Sequence, residues 1–256
     1  ELSAYPAVLA AEAKKAGLAM ARHLSTAELE NWMQEGVALT RYSPRAWEAA
    51  LDYFRTSPQV VEKLAYPFLL HWMHWGKRLA QASPSLAGAF FRASQEMLTS
   101  LSPRSLGEWA QMSLSLYKGD WRSTSIASRF LELSPRILHY LSLPEAADFV
   151  QFLDILGRHS PEQAMECLGV AEGVLGGVER QDRRGFLHLA LILSEHQWRD
   201  ARSFFQAGAK VMSRIDRGSR ERFLALGETL ARELSASALA FIVDGSQALD
   251  QVDRAL

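Results

Sequence analysis

Large apolar residues recur along this chain at a long and nearly constant period. A first column of them repeats every 37 to 40 residues, and a leucine follows each member seven residues later. From each member of a second column to the next member of the first, the distance is 18 residues. The first column is Trp32, Trp72, Trp109, Phe149, Phe186 and Phe223; the leucines are Leu39, Leu79, Leu116, Leu156, Leu193 and Leu230; the second column is Phe54, Phe91, Leu131, Leu168, Phe205 and Ile242. Such periodicity is typical of stacked helical units.

Within one unit the spacing of apolar residues is helical. Trp72, Trp75 and Leu79 follow the three-four spacing of an amphipathic helix, and no stretch alternates as a strand does. We therefore predict an all-α fold, an α-solenoid of about six HEAT-like or armadillo-like repeats, each with two long helices and one short helix. The predicted N-terminal capping helix spans residues 1–24, and the repeats span approximately 25–64, 65–101, 102–141, 142–178, 179–215 and 216–256, in one continuous domain.

Serine-proline pairs occur at six places along the chain. A serine hydroxyl can accept a hydrogen bond from the first turn of a helix, and proline at the first helical position loses none, so each pair predicts a helix start. Ser94 likewise predicts the start of a short third helix that includes Leu98 and Leu101. The connection between the first and second helices is three residues longer in repeats one and three, at 40–45 and 117–123. The pairs lie at 43–44, 57–58, 83–84, 102–103, 134–135 and 160–161.

One position, four residues after the first column, is small in five of the six repeats. Glycine inside a helix costs about 1 kcal/mol relative to alanine, so a close approach of two helices is expected to offset that cost. The residues at this position are Gly36, Gly76, Ser113, Leu153, Ala190 and Gly227.

Charge and cysteine content narrow the class of protein. The 28 basic residues nearly balance the 29 acidic ones, which makes nucleic acid an unlikely partner. We expect no membrane insertion, because no run of 18 apolar residues exists, and no signal peptide, because charges interrupt residues 4–21. The single cysteine, Cys167, fits a reducing compartment and a buried structural role. We therefore expect a cytoplasmic protein that forms part of a longer chain.

Residues that could carry chemistry are few. No nucleophile with a base, no phosphate-binding glycine loop and no catalytic carboxylate pair is recognisable, so we expect no enzyme activity and no cofactor. His71 and His74 are three residues apart on a helix, but a third metal ligand at a diagnostic distance is missing. We therefore expect no metal site and interpret this histidine pair as part of an exposed helix face that contacts a partner.

A second candidate surface contains six arginines in two consecutive repeats. They stand where the chain enters the first helix of repeats five and six, so stacking would place them in one ridge. Four interleaved acids are expected to neutralise much of this ridge: Glu179, Asp182, Asp216 and Glu221. Trp47 and Trp198 share a position seven residues before the second column and are further candidates for partner contacts. The arginines are Arg180, Arg183, Arg184, Arg217, Arg220 and Arg222.

Four segments carry a resemblance to a known family. They are 31–36 (NWMQEG), 53–58 (YFRTSP), 71–76 (HWMHWG) and 90–95 (FFRASQ). They resemble the helical region that precedes the von Willebrand A domain in bacterial NorD-like and CoxE-like proteins. The resemblance implies a helical part that engages a MoxR-type AAA+ ATPase and a client enzyme. In that family the von Willebrand A domain carries a metal-ion-dependent adhesion site, but its Asp-x-Ser-x-Ser motif is absent from this chain.

Two functions are consistent with this sequence. The first is a non-catalytic protein-binding scaffold that assists ATPase-driven maturation or activation of another enzyme. The alternative is a HEAT-like DNA-binding protein of the alkylpurine-glycosylase kind, which places tryptophans and a carboxylate in a basic groove. The nearly neutral net charge of -1 disfavours this alternative, because phosphate neutralisation dominates DNA affinity.

Overall fold

The described part of the chain is all-α. A computed structural model describes residues 6–43, 45–63, 65–97 and 103–233, and these ranges contain helices and no strand. None of these helices combines the length and the apolar character needed to cross a membrane. The helices are α1 (Ala7–Met20), α2 (Thr26–Leu39), α3 (Trp47–Lys63), α4 (Tyr66–Ala82), α5 (Pro84–Met97), α6 (Pro103–Leu116), α7 (Trp121–Ile137), α8 (Leu143–His159), α9 (Pro161–Gly177), α10 (Arg183–Arg214) and α11 (Arg217–Glu233).

Contacts between helices divide the chain into two compact units, residues 1–135 and 136–256. In the first unit α2 packs on α4 and α4 on α6, while α1 packs on α3 and α3 on α5. The first and second helices of a repeat also pack on each other, α2 on α3 and α4 on α5. In the second unit α8, α9 and α10 contact one another, and α11 packs on α10. The prediction of one continuous domain stays a prediction.

Aromatic rings of the predicted columns form the core of the first unit. Trp32, Trp72 and Trp109 are fully buried. Within a repeat, the Trp72 ring lies 4.9 Å from the Phe91 ring. Between repeats, the residue before the second column makes the link: Tyr53 stacks on Trp72 at 5.3 Å, and Phe90 stacks on Trp109 at 5.1 Å. Each of these two repeats is therefore joined to the next through an aromatic ring.

Small residues allow the helices to approach closely, as predicted. A Cβ atom added at Gly36 would lie 2.5 Å from Cζ of Phe54, and one added at Gly76 would overlap the Phe91 ring. Both neighbours belong to the second column, so these two glycines make room for the ring that fills the core of the same repeat. At Gly227 the close neighbour is Leu189 of α10 instead.

The prediction of a separate short helix in each repeat is wrong for the helices described. Helices α3 and α7 continue without a break past the predicted starts at Pro58 and Pro135, α5 continues past Ser94 to Met97, and α9 runs to Gly177. Pro58 and Pro135 therefore lie inside α3 and α7. Val60 and Val61, which follow Pro58, are buried, and we infer that their packing outweighs the local cost of the proline. Leu98 and Leu101 lie outside the described residues.

Other predicted helix starts agree with the structure. Helices α5, α6 and α9 begin at Pro84, Pro103 and Pro161, and the Ser160 hydroxyl accepts a hydrogen bond from the backbone amide of Gln163 at 3.3 Å. The N-terminal helix lies inside the predicted range of residues 1–24. Pro44, Ser102 and the second half of the sixth repeat, including Ile242, lie outside the described residues.

The fifth repeat forms one long helix that reverses its direction. Eighteen residues of straight helix would separate Phe186 from Phe204 by about 27 Å. Their rings instead stack at 5.6 Å, so α10 doubles back between them. Its second arm brings Phe205 to within 5.4 Å of Phe152 in α8. Cys167 is fully buried in α9, and burial raises the pKa of its thiol to about 12, in agreement with the predicted structural role.

Glycine-to-alanine substitutions should have opposite effects at two helical positions. We expect Gly76→Ala to lower the free energy of unfolding by about 1–3 kcal/mol, because the added methyl group collides with Phe91. Gly173→Ala in α9 meets no atom within 4 Å, so we expect it to stabilise the chain by up to about 1 kcal/mol. Urea unfolding followed by circular dichroism measures both changes. Equal effects of the two substitutions would contradict the close approach at Gly76.

Two buried serines provide a second matched pair. Both hydroxyls donate to the carbonyl four residues earlier, Ser57 to Tyr53 and Ser94 to Phe90, each at 2.6 Å. Ser94 also accepts from Nε1 of Trp72 at 2.9 Å. We therefore expect Ser94→Ala to cost about 1–2 kcal/mol more than Ser57→Ala, since it leaves a buried indole N–H unsatisfied. The same unfolding measurement tests this difference, and equal costs would contradict it.

Candidate partner-binding surfaces

Two of the six candidate arginines are structural. Arg220 is only 8% exposed, and its Nη1 pairs with Glu179 Oε1 at 2.5 Å and Asp182 Oδ2 at 3.3 Å. Its Nε also donates to the Ile215 carbonyl at 2.9 Å. The arginine thus ties the start of α11 to the connection that precedes α10.

Arg183, at the equivalent position one repeat earlier, also ties the start of its helix to preceding segments of the chain. Its Nε donates to the carbonyls of Leu175 and Val178, at 3.0 and 2.9 Å, and its Nη1 donates to the Tyr140 carbonyl at 2.6 Å. The guanidinium carbon also lies 5.3 Å from the centre of the Tyr140 ring. The bonds to Leu175 and Val178 satisfy carbonyls at the end of α9, which a helix terminus leaves without partners.

A sequence signal for these structural roles existed. Arg183 and Arg220 stand three residues before the first column; the equivalent residues Leu69, Leu106 and Ala146 are buried, and Leu29 is half-buried. The two arginines therefore occupy an inward-facing column. The sequence prediction grouped these two arginines with their neighbours and did not use their position relative to the first column.

The other four arginines of the set are exposed: Arg180, Arg184, Arg217 and Arg222. We call them the arginine surface. Arg217 donates to Oε1 of Gln181 at 2.5 Å, whereas the other three make no ion pair with any described residue.

The acids between these arginines have other partners. Glu179 and Asp182 pair with Arg220, and the hydrogen bond from Arg220 lowers the pKa of Glu179. Asp216 accepts from the backbone amides of Gly218 and Ser219 at 3.0 and 3.2 Å, and its bonds with Ser219 lower its pKa. All three acids are thus bonded within the protein, and the charge of the exposed Arg217 also contributes to the lowered pKa of Glu179.

Helix α4 carries the two candidate histidines on its outer side. His71 and His74 are exposed, and the His74 ring makes an edge contact with Trp75 at 6.0 Å. The guanidinium carbon of Arg78 lies 4.7 Å from the centre of the Trp75 ring. Trp75 is half-buried against Gly107, where a Cβ atom would lie 3.1 Å from its Nε1. Among the described residues, no group of three or more potential ligands could hold a metal ion.

The two candidate tryptophans are half-buried. Trp47 begins α3. Trp198 lies in α10 between Phe186 and Phe204, where this helix reverses, and stacks on His159 at 5.1 Å with the two rings almost parallel. This stacking shows that Trp198 packs within its own unit.

The most exposed tryptophan was missed by sequence reasoning. Trp121 is 73% exposed at the first position of α7, and the guanidinium carbon of Arg122 lies 5.4 Å from the centre of its ring. Asp120 fixes this helix start by accepting from the backbone amides of Arg122 and Ser123 at 2.8 and 2.9 Å. In the sequence, Trp121 falls within the predicted longer connection 117–123 and belongs to none of the apolar columns, and this combination could have identified it.

A charged groove of about 280 Å³ lies between α3, α5 and α7 in the first unit. Its charges are largely paired: Arg92 bonds to Asp52 and also lies 3.5 Å from Glu132. Burial raises the pKa of Asp52, although Arg92 acts in the opposite direction. The groove is therefore held together by its own ion pairs.

Comparisons with known proteins leave the identity open. No protein-family model, no curated protein and no solved structure matches this chain.

The pairing of Glu179 with Arg220 predicts a change in acid stability. Because the folded-state pKa of Glu179 lies below its ordinary value of 4.5, its contribution is complete above that value and is lost as the pH falls through the folded-state pKa. We expect Glu179→Gln to lower stability at neutral pH and to flatten its decline in acid. Urea midpoints measured across acidic and neutral pH test this expectation. Glu221→Gln removes an exposed charge nearby and serves as the control; identical profiles for both variants would contradict the role of the pair.

Proposed function

We propose that this chain is a non-catalytic protein-binding scaffold built from HEAT-like or armadillo-like helical repeats. The observation that carries the proposal is the exposed pair of Trp121 and Arg122, which lies outside the columns that build the core. Tryptophan and arginine are the residue types most enriched among energetically dominant interface positions. A tryptophan this exposed gains from burial, because its large apolar area leaves water when a partner covers it.

The half-exposed pair of Trp75 and Arg78 supports the same function. It lies on α4 beside His74 and combines an aromatic ring with a cation above it. Both pairs belong to the first unit and stand on helices whose opposite sides are fixed in the core. Rigid support of this kind lowers the entropic cost of binding.

A solenoid arrangement is part of this proposal. Its support is the pairing of like with like in the first unit, first helix on first helix and second on second, which is how repeat arrays stack. Such arrays present extended surfaces to other proteins.

We further propose the partner that the family resemblance implies. A MoxR-type AAA+ ATPase would bind this helical part in the cytoplasm, and the scaffold would bring it to a client enzyme. The exposed Trp121 is the first contact we assign to this interface.

Removing the Trp121 side chain should weaken binding to the ATPase. We expect a purified MoxR-type ATPase from the same organism to bind the whole chain, and Trp121→Ala to weaken this binding about thirtyfold, as for an interface residue worth roughly 2 kcal/mol. Biolayer interferometry with and without ATP measures the affinity. Leu18→Ala, at a 69% exposed position of α1, is the matched control.

The possible outcomes separate the two functions. Loss of binding in Trp121→Ala, together with wild-type binding in Leu18→Ala, supports the scaffold. Absence of ATPase binding refutes the choice of partner. If duplex DNA binds instead with strong salt dependence, the DNA-binding alternative replaces the scaffold.

A further inference from the structure

We propose that the arginine surface docks an acidic segment of a partner protein, that is, a stretch rich in aspartate and glutamate. This proposal rests on the scaffold function and names one class of ligand for it. It concerns the second unit, whereas Trp121 belongs to the first, so the two interfaces can be tested separately.

The exposed arginines come from two neighbouring segments that are held side by side. Arg220 in α11 bonds to Glu179 and Asp182 before α10, and Arg217 bonds to Gln181. These bonds place residues 179–184 against residues 216–222. Arg180 is next to Gln181, which Arg217 contacts, and Arg184 and Arg222 each stand two residues beyond the contact between Asp182 and Arg220.

This surface has an excess of positive charge. Residues 179–184 and 216–222 contain six arginines and four acids, although the whole chain has a net charge of -1. The acids are further engaged, Glu179 and Asp182 by the buried Arg220 and Asp216 by backbone amides. Both α10 and α11 also begin here, and helix N-termini carry partial positive charge.

Carboxylates fit this surface better than a nucleic-acid backbone does. A guanidinium group binds a carboxylate through two parallel hydrogen bonds, and Arg220 already binds two carboxylates within the protein. Glu179 remains 53% exposed and Glu221 is also exposed, and these charges would repel a closely spaced row of phosphates. A flexible acidic segment can place its carboxylates between them.

A direct binding experiment tests the proposal. The probe is a fluorescein-labelled peptide that alternates Asp and Glu with Gly and Ser, titrated with the whole chain at low ionic strength and followed by fluorescence anisotropy. We expect saturable binding that weakens with added salt. The double variant Arg184→Gln/Arg222→Gln should bind about tenfold more weakly, as expected for the loss of two exposed ion pairs.

The control variant carries the same change in charge elsewhere. Arg22→Gln/Arg45→Gln neutralises two exposed arginines of the first unit and should bind the peptide as the wild type does. All four substituted side chains are exposed, so thermal unfolding should stay at the wild-type temperature in both variants. A lowered unfolding temperature together with lost binding in Arg184→Gln/Arg222→Gln would overturn the assignment of a docking role.

Each outcome decides the proposal. Weaker binding in Arg184→Gln/Arg222→Gln alone supports it. Equal weakening in both variants shows attraction by overall charge and overturns it, as does absence of peptide binding. Binding of a duplex DNA titrated in parallel, with no binding of the peptide, overturns it in favour of phosphate recognition. If the peptide does not bind but the Trp121-dependent interaction is intact, only the acidic-segment proposal is overturned and the scaffold function still stands. Loss of the Trp121-dependent interaction would refute the scaffold function independently.

Discussion

Aromatic rings that span consecutive repeats are the interaction on which the first unit depends. Tyr53 stacks on Trp72, which also contacts Phe91, so this tryptophan is buried by its own repeat and by the preceding one. Neither repeat could cover these rings alone. This shared burial explains why Gly36 and Gly76 are small: a larger side chain there would push the second-column ring out of its place.

The same register constrains the second unit and determines its surface. Arg183 and Arg220 stand at an inward-facing position, where an arginine is stable only if its donors find acceptors. The ends of helices and the connections between them supply these acceptors: backbone carbonyls for Arg183, and one carbonyl and two carboxylates for Arg220. Arg220 offsets one of the two negative charges of Glu179 and Asp182, so residues 179–184 and 216–222 together keep an excess of positive charge. Core packing thereby creates a surface that can attract an acidic ligand.

The residues we assign to binding stand outside the apolar columns. Trp121 begins α7, directly after a longer connection, and Arg184 and Arg222 are exposed on α10 and α11. A substitution at such a position leaves the contacts between repeats intact. In a scaffold of the kind we propose, these residues can therefore change while the core remains constant.

The sequence by itself determined the all-α class and the buried columns, because a fixed apolar period requires every unit to bury the same face, and its serine-proline pairs located the starts of α5, α6 and α9. It also predicted the close approach at Gly36 and Gly76. Only the tertiary structure decided that Pro58 and Pro135 lie inside helices, since burial of the residues around them outweighs a local helix-breaking signal. The reversal of α10, the exposure of Trp121 and the separation of buried from exposed arginines were also decided there. Each of these depends on which groups meet in space, and residues 179 and 220 are too far apart in the chain for their pairing to follow from local pattern alone.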